Sequence, residues 1–143
     1  MSITLSSRYK YLVSLILALG YLSWLATASA NDNSVQLPAV KHLNAADAQA
    51  LLKARPDIQV LDVRTKSEYK RGHIDGAILN NYFSFKFKKR LRELDRTTPY
   101  LVHCKSGHRS GGAVKIMQAE GFKNIYHLDG GYDAWKKLYS RTK

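Results

Sequence analysis

The sequence predicts a single α/β domain, a central parallel sheet flanked by helices on both faces. Five short strand-like runs, at residues 40–43, 58–63, 77–79, 100–104 and 124–128, alternate with segments of helical pattern, and that alternation builds a parallel sheet covered by crossover helices. The run Ile58-Gln59-Val60-Leu61-Asp62-Val63 is rich in β-branched residues and reads as a buried strand. A chain of 143 residues is the size of one domain, with one core and no room for a second.

The first thirty residues stand apart from this domain. Arg8 and Lys10 form a basic start, residues 11–25 are uncharged and mostly apolar, and Ala28-Ser29-Ala30 supplies small residues before Asn31. That is the composition of a secretory signal peptide. An uncleaved anchor is the alternative, because the uncharged stretch of residues 11–30 reaches the roughly 20 residues a spanning helix needs. Residues 31–40 then form a flexible leader, and residues 41–143 the domain.

Within the domain, residues 40–43 open as a short strand. Asn44 is suited to cap a helix over residues 45–54, which Pro56 ends. After the 58–63 strand, Thr65 and Glu68 have capping-box spacing, so a short helix covers residues 66–70 and stops near Gly72. His73-Ile74-Asp75-Gly76 is a turn before the strand at 77–79. Phe83, Phe87, Leu91 and Leu94 recur at helical spacing, while Lys86, Lys88, Lys89, Arg90 and Arg92 lie largely off that stripe. A basic amphipathic helix follows, packed on the sheet or laid on an anionic membrane surface. Pro99 starts the strand at 100–104, since proline has no place inside a central strand. A helix over 113–120 ends at Gly121, with Phe122 as its capping contact, and the last strand leads through Asp129-Gly130-Gly131 to a helix at 132–139 carrying Trp135.

The formal net charge is +12, and the two basic residues before Asn31 have no acidic counterpart there. The domain is therefore strongly basic even without its leader. No aromatic-basic nucleic-acid motif accompanies the charge, so attraction of small anions, or solubility alone, is the reading. No cluster of histidine, cysteine and carboxylate has metal-ligand spacing along the chain, and no cofactor is implied.

The only cysteine, Cys104, stands where a strand gives way to a helix, in His103-Cys104-Lys105-Ser106-Gly107-His108-Arg109-Ser110-Gly111-Gly112. Unpartnered amides at a helix start, with the helix dipole, favour an anion there. Such a place lowers a thiol's pKa and makes Cys104 a nucleophile. Arg109 adds a fixed positive charge. Gly107, Gly111 and Gly112 permit positive φ and close approach of backbone to the sulfur. His103 faces away from Cys104 by strand alternation and reads as structural, leaving His108 as the nearer candidate for proton transfer. Asp62, Arg64 and His73 read as hydrogen-bonding supports around the site. The competing reading of Cys104 is a buried, inert thiol.

These residues resemble the rhodanese-like, single-domain sulfurtransferase family. The resemblance lies in Leu61-Asp62-Val63-Arg64, Glu68-Tyr69, Gly72-His73-Ile74-Asp75-Gly76-Ala77, the loop from Cys104 to Arg109 with Ser110, Gly121-Phe122, Gly130-Gly131 and Trp135, across about residues 55–140. It implies that Cys104 takes sulfur from an anionic donor such as thiosulfate, carries it as a persulfide, and passes it to a small-molecule or protein acceptor. Lys105, Ser106, Gly107, His108 and Ser110 would form the loop that binds substrate, with Cys104 and Arg109 as the catalytic pair. The spacing Cys104-x4-Arg109 is one residue shorter than the Cys-x5-Arg loop of related phosphatases and arsenate reductases. A shorter loop suits one sulfur atom better than a tetrahedral oxyanion. A non-catalytic sulfur-binding or interaction module, and a cysteine-dependent phosphatase or arsenate reductase, remain the alternatives. With the leader, the expected location is periplasmic or secreted.

Overall fold

A computed structural model of the chain describes residues 37–141. The expected signal peptide or anchor at 1–30 and the leader up to residue 36 lie outside the described residues. Among the described residues no helix is long and apolar enough to cross a membrane.

Five parallel strands form one sheet: β1 Val40–Leu43, β2 Gln59–Asp62, β3 Ile78–Leu79, β4 Tyr100–His103 and β5 Ile125–Leu128. Their spatial order is β1-β5-β4-β2-β3. Among the described residues four helices connect them, α1 Ala45–Ala54, α2 Lys66–Lys70, α3 Phe87–Arg92 and α4 His108–Ala119, and a fifth, α5 Gly131–Arg141, follows β5. Side chains alternate across the pleat and create two cores. Leu61, Val63, Tyr100, Val102 and Ile125 face α3 and α4, where they meet Phe87, Leu91, Ala113 and Met117. Val60, Leu101, Tyr126 and Leu128 face the other way, against Ala48 of α1, the partly buried Tyr69 of α2 and Trp135 of α5. The predicted two-sided sheet is the observed one, and it leaves the carboxyl end of central strand β4 between β2 and β5.

The local rules that predicted the first two helices are visible as bonds. Asn44 accepts from the Asp47 amide at 2.9 Å to cap α1. Thr65 and Glu68 form the reciprocal capping box of α2. Gly121 closes α4 with a φ of 85°, and the Phe122 amide reaches back to the Met117 carbonyl at 3.1 Å.

Two helices differ from expectation. The amphipathic segment becomes helical only at Phe87, because Asn81 Oδ1 captures the Phe83 amide and Ser84 Oγ the Lys86 amide, holding residues 81–86 in turns. Phe83 is thereby left 68% exposed, off the stripe its spacing assigned it to, while Phe87 and Leu91 are buried. Helix α4 begins at His108, five residues before the expected start, so Arg109, Ser110, Gly111 and Gly112 are helical rather than loop. Gly111 and Gly112 accordingly have ordinary φ, and among the expected loop glycines only Gly107 is left-handed, at 104°. Gly112 serves a different need, because a Cβ there would stand 2.5 Å from the Tyr82 hydroxyl.

Candidate active site

Cys104 is positioned by the join of β4 to α4. Because α4 starts at His108, the loop proper is only Lys105, Ser106 and Gly107, and Gly107 turns the chain left-handed to point amides inward. The Gly107 amide donates to Cys104 Sγ at 3.1 Å and the Ser110 hydroxyl lies 3.5 Å from it. Cys104 is 1% exposed, with its underside in the apolar core beside Val102 and Ala113. Burial pushes its thiol up, while the Ser110 hydroxyl and the backbone of Ser110, Gly107 and Ser106 pull it down. The hydrogen bonds win, and the thiol lies below its ordinary value. Cys104 is thus buried, as the inert reading required, yet it is held in the field that activates it.

The start of the loop is held by α5. The amide of Tyr132 donates to the Cys104 carbonyl at 2.8 Å and that of Asp133 to the Lys105 carbonyl at 3.0 Å. Gly131, with a φ of 59°, is required for this approach: a Cβ on it would lie 2.6 Å from both carbonyl oxygens. The sequence marked residues 129–131 only as a turn, and nothing local shows which backbone they meet.

Arg109 does not stand free beside the sulfur. Its two terminal nitrogens bond both oxygens of Glu68 at 2.7 and 2.8 Å, and its guanidinium lies 5.6 Å from the centre of the Phe83 ring. Glu68 holds the guanidinium above its ordinary value, burial opposing and the charge of Cys104 adding to the effect. The Arg109 hydrogen bonds in turn hold the Glu68 carboxyl far below the usual carboxylate range. The capping-box spacing accounted for one use of Glu68; its second use, across 41 residues of chain, is tertiary.

Asp62 and Arg64, expected only as hydrogen-bonding residues around the site, pair with each other. Asp62 is fully buried and Arg64 is 3% exposed; the guanidinium bonds Asp62 at 2.6 Å and the Gly72 carbonyl at 2.8 Å. It also lies 4.0 Å over the Tyr132 ring, which connects the pair to the residue whose amide holds Cys104. His103 points to this face, its Nδ1 donating to the Cys104 carbonyl at 3.1 Å, and burial pushes its imidazole below the usual range against the pull of Asp62. His103 is thus fully buried on this face, on the side that strand alternation assigned it.

His73 is not part of this arrangement. Its ring stacks on Tyr69 at 3.9 Å and bonds the Tyr69 carbonyl, which turns it toward a cavity lined by Leu52 of α1 and Trp135 of α5. Lys105 and Ser106 are exposed on the loop and His108 at the start of α4, and no hydrogen bond joins the side chains of Lys105 or His108 to the sulfur among the described residues. Ser110, by contrast, is fully buried; its hydroxyl reaches the Gly107 carbonyl at 3.0 Å and His127 Nε2 at 2.8 Å.

His127 brings in a group the sequence did not reveal. His42, His127 and Asp129 converge at the ends of β1 and β5, although His42 and Asp129 are 87 positions apart. The expectation of no metal-type cluster rested on spacing along the chain, and parallel pairing of β1 with β5 is what overrides it.

Comparison with known proteins accords with the geometry. Residues 44–138 match the Rhodanese-like domain family. The thiosulfate sulfurtransferase GlpE of Pseudoalteromonas translucida is 35% identical over 105 residues, covering 71% of this chain and 94% of the relative. The crystal structure of a rhodanese-related protein from Thermoplasma volcanium superposes with a TM-score of 0.61 at 31% identity, covering 68% of this chain and 92% of that one. A Rhodopseudomonas palustris protein of unknown function, described as a possible tyrosine phosphatase, has a TM-score of 0.59 at 28% identity over 70% of this chain and 82% of its own. With the β4–α4 cysteine loop and the two-sided parallel sheet, these matches place the chain in the rhodanese-like domain family.

Proposed function

We propose that the chain is an exported sulfurtransferase that moves sulfane sulfur from thiosulfate, or a donor of like chemistry, to a thiophilic acceptor by way of Cys104. The observation that carries this reading is the Cys104 sulfur at the base of a three-residue loop, with its thiol held below its ordinary value by Gly107 and Ser110. The likeness to the GlpE sulfurtransferases supports the same chemistry. The basic start, apolar run and Ala28-Ser29-Ala30 support export.

In the first half-reaction the Cys104 thiolate attacks the outer sulfur of thiosulfate. A new sulfur–sulfur bond forms at Sγ, the bond within thiosulfate breaks, and sulfite leaves with the electron pair. The charge on the outer sulfur then rests against the loop amides that held the thiolate. In the second half-reaction a nucleophile such as cyanide attacks the outer sulfur, and the Cys104 thiolate is the leaving group. No proton is needed at either step, so the absence of a bond from His108 to the sulfur is no obstacle. Arg109 contributes positive charge near the sulfur, and Glu68 holds its fork. That pairing weighs against the phosphatase reading, in which the same two-pronged face would clamp phosphate oxygens.

The test is thiocyanate formation from thiosulfate and cyanide by the purified chain and by Cys104→Ser. Activity confined to the wild type, with a gain of one sulfur atom on Cys104 by mass spectrometry, is expected. Cys104-dependent release of phosphate without sulfur transfer would replace the proposal, and a stable persulfide without turnover would favour the binding-module alternative. The same spectrum reads whether residues 1–30 have been removed.

A further inference from the structure

His42 and His127 are direct register partners on adjacent parallel strands, and Asp129 lies two residues beyond His127, where its amide continues the ladder to the Leu43 carbonyl at 2.8 Å. The pleat therefore puts all three side chains on one face at the carboxyl end of the sheet. Their ligating atoms converge. Asp129 Oδ1 lies 2.8 Å from His42 Nδ1 and 2.9 Å from His127 Nδ1, and the two nitrogens are 3.4 Å apart. The imidazole planes are inclined at 66° to each other, with their centres 5.0 Å apart.

We propose that His42, His127 and Asp129 form a binding site for a divalent late transition metal of the zinc class. Ligands about 2.0–2.1 Å from a tetrahedral zinc are roughly 3.3 Å from one another. The nitrogen pair already has that separation, and Asp129 needs to withdraw by only about half an ångström. Side-chain exposures of 62% for His42 and 51% for Asp129 leave room for that adjustment and for solvent or another ligand at the fourth position.

The donor set chooses the metal class. Two imidazoles with one carboxylate suit zinc, copper or nickel, whereas calcium and magnesium take oxygen ligands. Metal binding uses the lone pair of each Nδ1, so each neutral ring carries its proton on Nε2 instead. For His127 the acceptor of that proton is in place, since Nε2 is 2.8 Å from the Ser110 hydroxyl. A ligating histidine oriented through its second nitrogen in this way is the arrangement that metal sites require. Without metal, both Nδ1–H groups donate to the one carboxylate oxygen, which keeps the three atoms together.

The experiment is isothermal titration of the purified chain with zinc chloride in chelator-free buffer, repeated on Cys104→Ser to remove the competing thiolate. One saturable equivalent is expected in both. His42→Ala and Asp129→Asn, each made in the Cys104→Ser background, should weaken binding by about tenfold or more. Both substituted side chains are substantially exposed, and thermal melts confirm that the variants fold. No saturable binding in Cys104→Ser overturns the proposal, as does binding that neither substitution weakens. Because the titration is carried by a protein without its thiol, the result stands apart from the sulfurtransferase reading.

Discussion

Replacing Ser110 by alanine isolates what the hydroxyl contributes to the nucleophile. A hydrogen bond to a charged acceptor contributes about 1.5–3 kcal/mol. Here the hydroxyl has one proton and three neighbours, with Cys104 Sγ at 3.5 Å, the Gly107 carbonyl at 3.0 Å and His127 Nε2 at 2.8 Å. Its share to the thiolate is accordingly nearer about 1 kcal/mol, a factor of about five in an equilibrium constant. The Gly107 amide remains, so the thiol of Ser110→Ala rises toward its ordinary value without reaching it. At a pH below the thiol's titration, the thiolate fraction falls about fivefold. The rate of alkylation by iodoacetamide, followed against pH, reads this directly as a midpoint displaced to higher pH. Stability carries the same signature. A depressed thiol stabilises the fold above the unfolded thiol's value of about 8.5, and that contribution is lost as pH falls through the folded value, so Ser110→Ala should narrow the window. An alkylation midpoint identical to wild type, in a variant with a normal melt, would refute the role given to the hydroxyl.

Two further substitutions test the supports. Gly131→Ala should cost at least about 2 kcal/mol, since the methyl meets two backbone oxygens at 2.6 Å in a left-handed conformation, whereas Gly111→Ala, with nothing within 4 Å in a helix interior, should stabilise by about 0.5–1 kcal/mol; paired thermal melts compare them. Asp62→Ala strands the Arg64 guanidinium in the core and should cost about 3–5 kcal/mol by urea unfolding, a loss under 1 kcal/mol arguing against the buried pair as a support.

Where a residue's partner lies within one turn of chain, the sequence showed it. Asn44, Thr65 with Glu68, and Gly121 each cap their helix through neighbours three to five positions away, and each does so in the structure. Periodicity was a weaker guide where polar side chains compete for backbone. Phe83 has helical spacing to Phe87, yet Asn81 and Ser84 take the amides that a helix would have used. The place of His73 in a turn points to a support around the site, whereas stacking on Tyr69 directs its ring elsewhere.

The α/β class and the kind of loop that holds Cys104 are legible in the sequence, because they depend on strand and helix patterning and on the chemistry of consecutive residues. The sequence marks Asp62 and Arg64 only as hydrogen-bonding residues around the site; that they bond each other is seen in the structure. Only the tertiary structure decided that Glu68 occupies the fork of Arg109, that Gly131 lets α5 grip the Cys104 carbonyl, and that His42 meets His127 and Asp129. Each of these is a contact between strands or helices brought together by the order β1-β5-β4-β2-β3. That order is selected by burial of two apolar faces at once, a property of the whole sheet that no single stretch of sequence contains.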